Sequence, residues 1–269
     1  MELNKLPIGV FDSGVGGLTV AGKLRTLLPN ENIVYVGDTR RNPYGSCTPQ
    51  EIIGYTEEIL HFLERQPVKM AAIACNTITS AAFHVVSGAY PFPIIGMSRG
   101  LRTAMDTSAK KKIAVFATNI TIQSHSHKLL ARSMDPDVAI IEQACPALAN
   151  LIERGILSGD VITEPLRQYV APVVASGADT AILGCTHYPF IRSLFEQMCG
   201  DDIVIIDPAH EMALETLDVL KRQQLLNTDQ RPGQLRLCFT AEAERGGQMA
   251  RHLLPEHEYT TEEISLSNP

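Results

Sequence analysis

The fold is decided by two similar stretches, Met70-Ala-Ala-Ile-Ala-Cys75 and Thr180-Ala-Ile-Leu-Gly-Cys185. Each is a short apolar run that ends at a cysteine, and each is followed by polar residues and then by a helical pattern. Apolar runs that alternate with helices are typical of parallel strands in a sheet that helices cover on both faces. The sequence therefore predicts an α/β fold.

The two stretches belong to an internal repeat. Ile8–Gly14 matches Ile113–Asn119 at an offset of 105 residues, and Pro93–Gly96 matches Val204–Asp207 at an offset of 111. The two cysteines are 110 residues apart, so order and spacing agree along both halves. A repeat of this length indicates two similar structural units. We predict two three-layer α/β lobes with mainly parallel sheets and an active site in the cleft between them.

The lobe boundaries follow from the repeat. The first lobe is predicted to comprise residues 1–98 with a returning C-terminal tail, residues 208–269, and the second lobe to comprise residues 99–207. In the tail, residues 235–240 have the pattern of a strand with helical patterns on both sides. Such a segment suits a tail that packs back on one lobe.

Local signals place several helices. Thr48-Pro-Gln-Glu51 is a capping box with proline where a missing N–H has no consequence, and it predicts a helix that runs to about Arg65. In the second half, helices are predicted near residues 121–133, at about residues 146–157, and from Thr163-Glu164 before Pro165.

Composition limits the classes of function. The chain has 269 residues, a formal net charge of -7 and 45% hydrophobic residues, so it can bury a large core, and bulk disorder is excluded. Its apolar runs are shorter than the roughly 18 residues of a membrane span, and its N-terminal segment lacks the features of a signal peptide. The only basic run, Lys110-Lys-Lys112, precedes a strand and is interpreted as a solvated loop, and the modest negative net charge argues against a nucleic-acid surface. We expect a cytoplasmic protein that acts on a small molecule, with neither nucleic acid nor membrane as a partner.

Two of the six cysteines stand out. None of the six forms a C-x-x-C pair, and thiols stay free in a reducing cytoplasm. Cys75 and Cys185 each follow a strand of the repeat and precede a helix, which is where open α/β sheets bind ligands and where a thiol pKa is lowered. Core packing is the alternative for these two. The remaining four are interpreted as packing residues: Cys47, Cys145, Cys199 and Cys238.

Polar residues near the two cysteines are candidates for the same site. Asp12 follows the first strand and opens a glycine-rich turn whose spacing does not fit a dinucleotide-binding fingerprint. Tyr44 lies in a loop fixed by Pro43 and Gly45 and can cover a pocket. His187 is two residues from Cys185 and can serve as its proton partner, while Glu153 can orient that histidine. A tight turn, a surface loop and a structural histidine are the alternatives.

Two thiols on opposite sides of a cleft suit one class of reaction. One thiolate can remove a proton from carbon while the other thiol donates a proton to the opposite face, which inverts the stereocentre. Cysteine suits this role because its ordinary pKa of about 8.5 lies near physiological pH. The scheme requires no cofactor, and the sequence contains neither metal-ligand spacing nor a phosphate-binding loop.

At these residues the chain resembles the cofactor-independent glutamate racemases of the aspartate/glutamate racemase superfamily. The matching motifs are Phe11-Asp-Ser-Gly-Val-Gly-Gly17, Asp38-Thr39 with Pro43-Tyr-Gly45, Ala74-Cys-Asn-Thr77, and Leu183-Gly-Cys-Thr-His-Tyr-Pro189. The resemblance implies interconversion of L- and D-glutamate without a cofactor. It further implies D-glutamate supply for peptidoglycan in a bacterial cytoplasm, a tail that closes the first lobe, and a homodimer.

The resemblance also implies roles for single residues. Cys75 and Cys185 are expected to be the acid and base, with Asp12 assisting Cys75, and with His187 and the nearby Glu153 assisting Cys185. The residues expected to hold the substrate are Asp12, Ser13, Pro43, Tyr44, Gly45, Asn76, Thr77, Thr118, Thr121, Thr186 and His187.

Two segments depart from the family pattern. Members commonly carry Gly-Thr, a second Thr three residues later, and then Ser and Tyr. Here Thr118 and Thr121 are kept, but the glycine is Ala117 and the tyrosine is His127. Ser98-Arg-Gly100 replaces an apolar-Pro-Gly run. These departures bear on regulation, rate or fine substrate preference and leave the reaction class unchanged.

Two other functions stay open from the sequence. A racemase of the same superfamily can act on aspartate or another amino acid. A non-enzymatic protein with two lobes can use the same thiols for ligand binding or redox sensing. Following optical rotation with single enantiomers of each amino acid distinguishes glutamate from another substrate. A stable disulfide between Cys75 and Cys185 without racemase activity would favour the non-enzymatic protein.

Overall fold

The structure, a computed structural model, describes residues 2–266 and contains two parallel sheets. The strands are β1 (Ile8–Asp12), β2 (Ile33–Gly37), β3 (Met70–Ile73), β4 (Ile94–Ile95), β5 (Lys112–Ala117), β6 (Ala139–Ala144), β7 (Thr180–Gly184), β8 (Val204–Ile206), β9 (Leu235–Phe239) and β10 (Thr260–Glu263). The helices are α1 (Leu18–Leu27), α2 (Pro49–Arg65), α3 (Asn76–Val86), α4 (Leu101–Thr107), α5 (Asn119–Gln123), α6 (Ser126–Met134), α7 (Leu148–Glu153), α8 (Asp160–Ser176), α9 (Arg192–Cys199), α10 (Ala209–Arg222) and α11 (Ala243–Leu253). The predicted α/β class with parallel sheets is confirmed.

The first sheet combines strands from both ends of the chain. Its order is β10-β9-β2-β1-β3-β4, and every neighbouring pair is parallel. The strand predicted at residues 235–240 is β9, and it lies directly beside β2. β1, β2 and β3 are buried along their whole length, as expected of strands that helices cover on both faces.

The second sheet repeats the central part of the first. Its order is β6-β5-β7-β8, so β5 lies between β6 and β7 as β1 lies between β2 and β3. The registers correspond as well, because Phe11 pairs with Ile73 near the end of β1, and Phe116 pairs with Leu183 near the end of β5. The internal repeat of the sequence is therefore a repeat of strand order.

Most predicted helices form, and the differences have local causes. Thr48 and Glu51 make the capping box at the start of α2, and the helix ends at Arg65. The helix predicted near residues 121–133 is two helices, α5 and α6, because His125 between them has a positive φ of 50°. The helix predicted at residues 146–157 is shorter and spans Leu148–Glu153.

The start predicted for α8 was wrong. The helix begins at Asp160 instead of near Thr163, and it contains Pro165 and Pro172. A proline leaves the carbonyl four residues earlier without its helical hydrogen bond. Those carbonyls belong to Val161 and Gln168, which are both exposed, so water can replace the missing donors.

The chain passes twice between the sheets, and the two connections lie side by side. In the first, Gly100 has a φ of +64°, and a Cβ there would stand 3.1 Å from Pro208 of the second. Glu211 at the start of α10 accepts hydrogen bonds from the hydroxyls of Ser98 (2.7 Å) and Thr103 (2.8 Å). One carboxylate therefore holds both connections together.

A buried ion pair fastens the tail to the first sheet. Lys69 and Glu31 form a salt bridge with side chains that are almost fully buried. Lys69 also donates to the carbonyl of Asn4 at 2.7 Å, and Glu31 accepts from the backbone N–H of Asn227 at 2.8 Å. Burial lowers the pKa of Lys69, and the Glu31 carboxylate opposes that shift. The pair and its two backbone partners thus join four segments of the chain.

We predict that Lys69→Met destabilises the protein by about 3–5 kcal/mol, because the Glu31 carboxylate is left buried without its partner. Urea denaturation measures the change. Lys69→Met combined with Glu31→Leu should recover much of the loss. The control is Lys5→Met, which removes the exposed ion pair with Glu2 and should change stability little. Equal stability of Lys69→Met and wild type would contradict the prediction.

Candidate active site

The candidate site lies where the carboxyl ends of four strands meet. Asp12 ends β1, and Cys75 follows β3 at the first residue before α3. Thr118 follows β5, and Cys185 follows β7. The two thiol-bearing residues are 5% and 6% exposed. Ligands of open parallel sheets bind at this edge, and here the edges of two sheets face one another.

A small cavity lies between the two cysteines. It leaves about 20 Å³ for the centres of water molecules, which is room for about one water. Its lining contains eleven residues that the sequence predicts and one that it does not, Ala149: Ser13, Pro43, Tyr44, Gly45, Cys75, Asn76, Thr77, Thr118, Ala149, Cys185, Thr186 and His187. The predicted residues outside the lining are Asp12, Thr121 and Glu153, and each is hydrogen-bonded to a lining residue.

Two glycines allow the lobes to meet at this point. A Cβ on Gly14 would stand 2.6 Å from Oε2 of Glu153, and a Cβ on Gly16 would stand 2.5 Å from Nδ1 of His187 and 2.6 Å from Oγ1 of Thr186. Side chains at either position would push the turn after β1 away from the second sheet. The glycines of this turn are therefore required for close approach between protein segments.

Asp12 links the two sheets. Its Oδ1 accepts from the backbone N–H of Gly14 at 2.7 Å and from the Ser13 hydroxyl at 3.3 Å. Its Oδ2 accepts from the Thr186 hydroxyl at 2.8 Å. Burial raises the pKa of Asp12, and the nearby His187 and these hydrogen bonds oppose that shift. The carboxyl group is thus fully buried, held on both oxygens, and easier to protonate than usual.

Cys75 is in a setting that favours the neutral thiol. Its Sγ lies 3.8 Å from the Ser13 hydroxyl, which in turn contacts Asp12. Burial raises the pKa of Cys75, and the negative charge of Asp12 raises it further. The sequence predicts the opposite shift from the helix N-terminus alone. That expectation was wrong, because desolvation and a neighbouring carboxylate outweigh the effect of the Ile78 amide of α3.

The surroundings of Cys185 differ in charge. Nδ1 of His187 lies 3.8 Å from Sγ of Cys185, and Nε2 of His187 lies 2.6 Å from Oε2 of Glu153. Burial alone would lower the pKa of His187, but its contacts with the Cys185 thiol and the Glu153 carboxylate raise it well above its usual range. Glu153 also accepts from the backbone N–H of Val15 at 3.2 Å, so the histidine is held from both sheets.

Hydroxyl and amide groups line the rest of the cavity. The hydroxyl of Thr118 lies 2.9 Å from that of Thr77 and 3.2 Å from that of Thr121, so Thr121 stands behind Thr118. Both polar atoms of the Asn76 amide are buried without a hydrogen-bond partner in the described structure. Because a buried polar group without a partner is unfavourable, Asn76 is ready to bind a polar ligand.

Tyr44 closes one side of the cavity and is anchored from behind. Its hydroxyl donates to Asp38, which also accepts from the Thr240 hydroxyl at 2.7 Å and from Nε of Arg41 at 2.6 Å. Burial raises the pKa of Tyr44 far above its usual value, and the Asp38 carboxylate adds to that shift. Tyr44 is therefore a neutral wall of the cavity whose position depends on Asp38.

Comparison with known proteins agrees with this geometry. The sequence profile of Asp/Glu/Hydantoin racemases matches residues 19–216. The chain belongs to the Asp/Glu/Hydantoin racemase family. Relatives within the family include a glutamate racemase from Lactobacillus helveticus, which is 35% identical over 99% of this chain and 100% of its own.

Solved structures of family members share the fold. A glutamate racemase isoform from Bacillus anthracis has a TM-score of 0.91 at 33% identity and covers 97% of this chain and 98% of its own. A Francisella tularensis glutamate racemase in complex with D-glutamate has a TM-score of 0.87 at 32% identity and covers 98% and 99%. A Picrophilus torridus aspartate racemase, at 16% identity and a TM-score of 0.58, shares the fold alone.

Three residues of this family member escaped the sequence analysis. Ala149 lines the cavity from α7, Asn42 donates its amide to the carbonyl of Ser13 at 2.9 Å, and the Tyr35 hydroxyl donates to the carbonyl of Gly14 at 2.6 Å. Asn42 directly precedes the predicted loop residue Pro43, so a polar residue there is a usable signal. Ala149 and Tyr35 give no such signal, because each fits the apolar pattern of its own element.

We predict that Glu153→Gln lowers the pKa of His187, because the neutral amide no longer stabilises the imidazolium. NMR titration of the ring resonances measures the shift. Glu142→Gln is the matched control, since it removes the partner of His125 on the surface and should leave His187 unchanged. An unchanged pKa of His187 in Glu153→Gln would show that the carboxylate does not hold its charge.

The pair of His187 and Glu153 also makes the stability of the fold depend on pH. Because the pKa of folded His187 is raised, its charge stabilises the fold fully below the unfolded value of about 6.5, and that contribution is lost as pH rises through the folded pKa. The free energy of unfolding should therefore be higher for wild type than for Glu153→Gln. This difference should be largest near pH 6 and smaller at alkaline pH. Urea denaturation at several pH values checks this, and a constant difference would contradict it.

Proposed function

We propose that this chain interconverts L- and D-glutamate by proton transfer at Cα, without a cofactor. The observation that carries the proposal is a pair of buried thiols, one after a strand of each sheet, that line one cavity and have ionisable neighbours of their own. Family membership, and glutamate racemases that align with nearly the whole chain, support glutamate as the substrate.

The reaction proposed for the two thiols is a direct inversion. One thiolate removes the Cα proton, and the opposite thiol donates its proton to the other face of the resulting carbanion. The protein then holds the reverse protonation state, which is ready for the opposite enantiomer. General acid–base catalysis of this kind needs groups whose protonation can be adjusted near physiological pH.

Different neighbours are proposed to assist the two thiols. On one side, the buried Asp12 carboxyl reaches Cys75 through the Ser13 hydroxyl and can share its proton. On the other side, the charged His187, held by Glu153, faces the sulfur of Cys185 and can stabilise a thiolate there. This arrangement suits a state with the proton on Cys75 and the negative charge near His187.

The remaining lining residues are proposed to hold the substrate. Asn76, with its two unpartnered amide atoms, and the hydroxyls of Ser13, Thr77 and Thr186 suit the α-carboxylate and the amine. Thr118, supported by Thr121, suits the side-chain carboxylate, and Pro43, Tyr44 and Gly45 form the wall. Because the cavity has room for about one water, we propose that the lobes separate to admit glutamate.

The proposed physiological role and oligomeric state are supported by the family alone. We propose that the protein acts in the cytoplasm as a homodimer. Its product, D-glutamate, is proposed to serve peptidoglycan synthesis. Among the described residues, no helix is long and apolar enough to cross a membrane. The domain division at residues 98/99 and 207/208 is proposed as well, and the membership of strands in the two sheets supports it.

We predict that Cys75→Ala and Cys185→Ala each reduce racemisation of both enantiomers by at least about 10²–10⁴-fold, because each removes a required acid or base. Circular dichroism of the amino acid follows the reaction. The control is Cys199→Ala, which removes a buried thiol in α9 and should keep wild-type activity. Full activity in either Cys75→Ala or Cys185→Ala would exclude the mechanism.

Deuterium uptake separates the candidate substrates. In heavy water, both glutamate enantiomers should gain deuterium at Cα, while aspartate should react far more slowly. Faster deuterium uptake into aspartate than into glutamate would identify aspartate as the substrate. No uptake into any amino acid, together with a stable Cys75–Cys185 disulfide under mild oxidation, would favour a redox-sensing or binding protein instead.

A further inference from the structure

Asn42 lies behind the candidate site and outside its lining. Its Nδ2 donates to the carbonyl oxygen of Ser13 at 2.9 Å, and its Oδ1 is buried without a partner in the described structure. The side chain belongs to the loop that continues into Pro43 and Tyr44, the residues that form one wall of the cavity. One hydrogen bond thus joins the wall to the turn after β1.

Four consecutive polar backbone groups of that turn, from the carbonyl of Ser13 to the N–H of Val15, make hydrogen bonds with side chains. The N–H of Gly14 donates to Asp12, and the carbonyl of Gly14 accepts from Tyr35. The N–H of Val15 donates to Glu153. Asn42 supplies the remaining contact, at the carbonyl of the residue whose hydroxyl lies between Asp12 and Cys75.

Packing alone does not account for an asparagine here. Leaving the buried Oδ1 unpaired is unfavourable, and an apolar side chain of similar size would avoid that penalty. The amide also lies close to Glu153, since a Cβ on Gly14 would stand 2.0 Å from Nδ2 of Asn42 and 2.6 Å from Oε2 of Glu153. A neutral donor fits this position, whereas a second carboxylate would be repelled.

We propose that Asn42 is a positioning residue of the racemase reaction. Its amide fixes the Ser13 carbonyl, which sets the direction of the Ser13 hydroxyl toward Asp12 and Cys75 and ties the Tyr44 wall to that hydroxyl. The inference rests on the proposed function and adds to it a residue that touches neither thiol. It predicts that the hydrogen-bond donor at this position, and not the volume of the side chain, supports proton transfer.

The test compares Asn42→Ala with Asn42→Asp across pH. Asn42→Ala should lower kcat/KM about tenfold for both enantiomers equally, because the two enantiomers have the same free energy and the equilibrium constant is one. Asn42→Asp has the same shape, but its ionised form cannot donate to Ser13. It should be about 100-fold below wild type at alkaline pH and should approach wild type as pH falls, since a protonated carboxyl donates as the amide does.

Several charged and titratable groups surround Asn42 and act on a carboxyl group introduced there. They are the carboxyl groups of Asp12 and Glu153, the imidazole of His187 and the phenol of Tyr35, while Arg41 pairs with Asp38 and Glu58. The burial and the two carboxylates favour a raised pKa for the introduced acid. Asn150→Asp makes the same change on an exposed residue of α7, one turn from Glu153, and should follow the wild-type pH profile.

The outcomes are separable. A ratio of Asn42→Asp to wild-type kcat/KM that rises as pH falls supports the inference, because a purely structural role changes thermal stability without that pH dependence. A pH-independent ratio, or wild-type activity in both variants, overturns it. If Asn42→Asp does not fold, loss of kcat in folded Asn42→Ala supports the inference and wild-type kcat overturns it. Wild type without deuterium exchange at Cα overturns the proposed function itself, whatever the variants do.

Discussion

The structure depends on a close approach between the turn after β1 and the second sheet. Gly14 and Gly16 leave space for Glu153, Thr186 and His187, and hydrogen bonds from Thr186 to Asp12 and from Val15 to Glu153 cross the gap. Without this approach, the ends of the two sheets would be separate sites, each with one thiol. The contact turns an internal repeat into a single cavity, because it brings the two repeat-related cysteines into one lining.

The repeat is symmetric in strand order but not in charge, and the asymmetry is chemically useful. Cys75 faces a buried carboxyl group, which with burial raises the pKa of its thiol. Cys185 faces a histidine whose pKa is raised by its contacts with Cys185 and Glu153. A two-base reaction needs an acid and a base at the same moment, and two identical settings would favour the same protonation state at both sulfurs. Different neighbours, a carboxyl group beside one thiol and an imidazole beside the other, therefore suit the reaction proposed for the pair.

The sequence predicts the sheets and most of the site for a definite reason. Strands buried on both faces are continuous apolar runs, and the residues directly after them are forced to the same edge of the sheet, so Asp12, Cys75 and Cys185 could be placed from local pattern. Thr118 was placed by the family resemblance. Contacts between segments that are distant in sequence are not encoded locally. The partnership of Asn42 with Ser13 and the lining role of Ala149 depend on how two distant segments meet, and no periodicity encodes that.

The direction of the Cys75 pKa shift also could not be predicted from local sequence. A helix N-terminus is visible in sequence and lowers a thiol pKa, whereas burial of Cys75 beside Asp12 is a property of the assembled lobes and has the larger effect. His127, one of the residues at which the sequence departs from the pattern it resembles, also has a pKa set by the assembled structure. Arg99 and His127 lie outside the cavity lining, and burial with the charge of Arg99 lowers the pKa of His127 to about 3. Arg99 lies in a connection between the sheets, next to Ser98, which donates to Glu211, so the charge that acts on His127 belongs to that connection and not to the cavity lining.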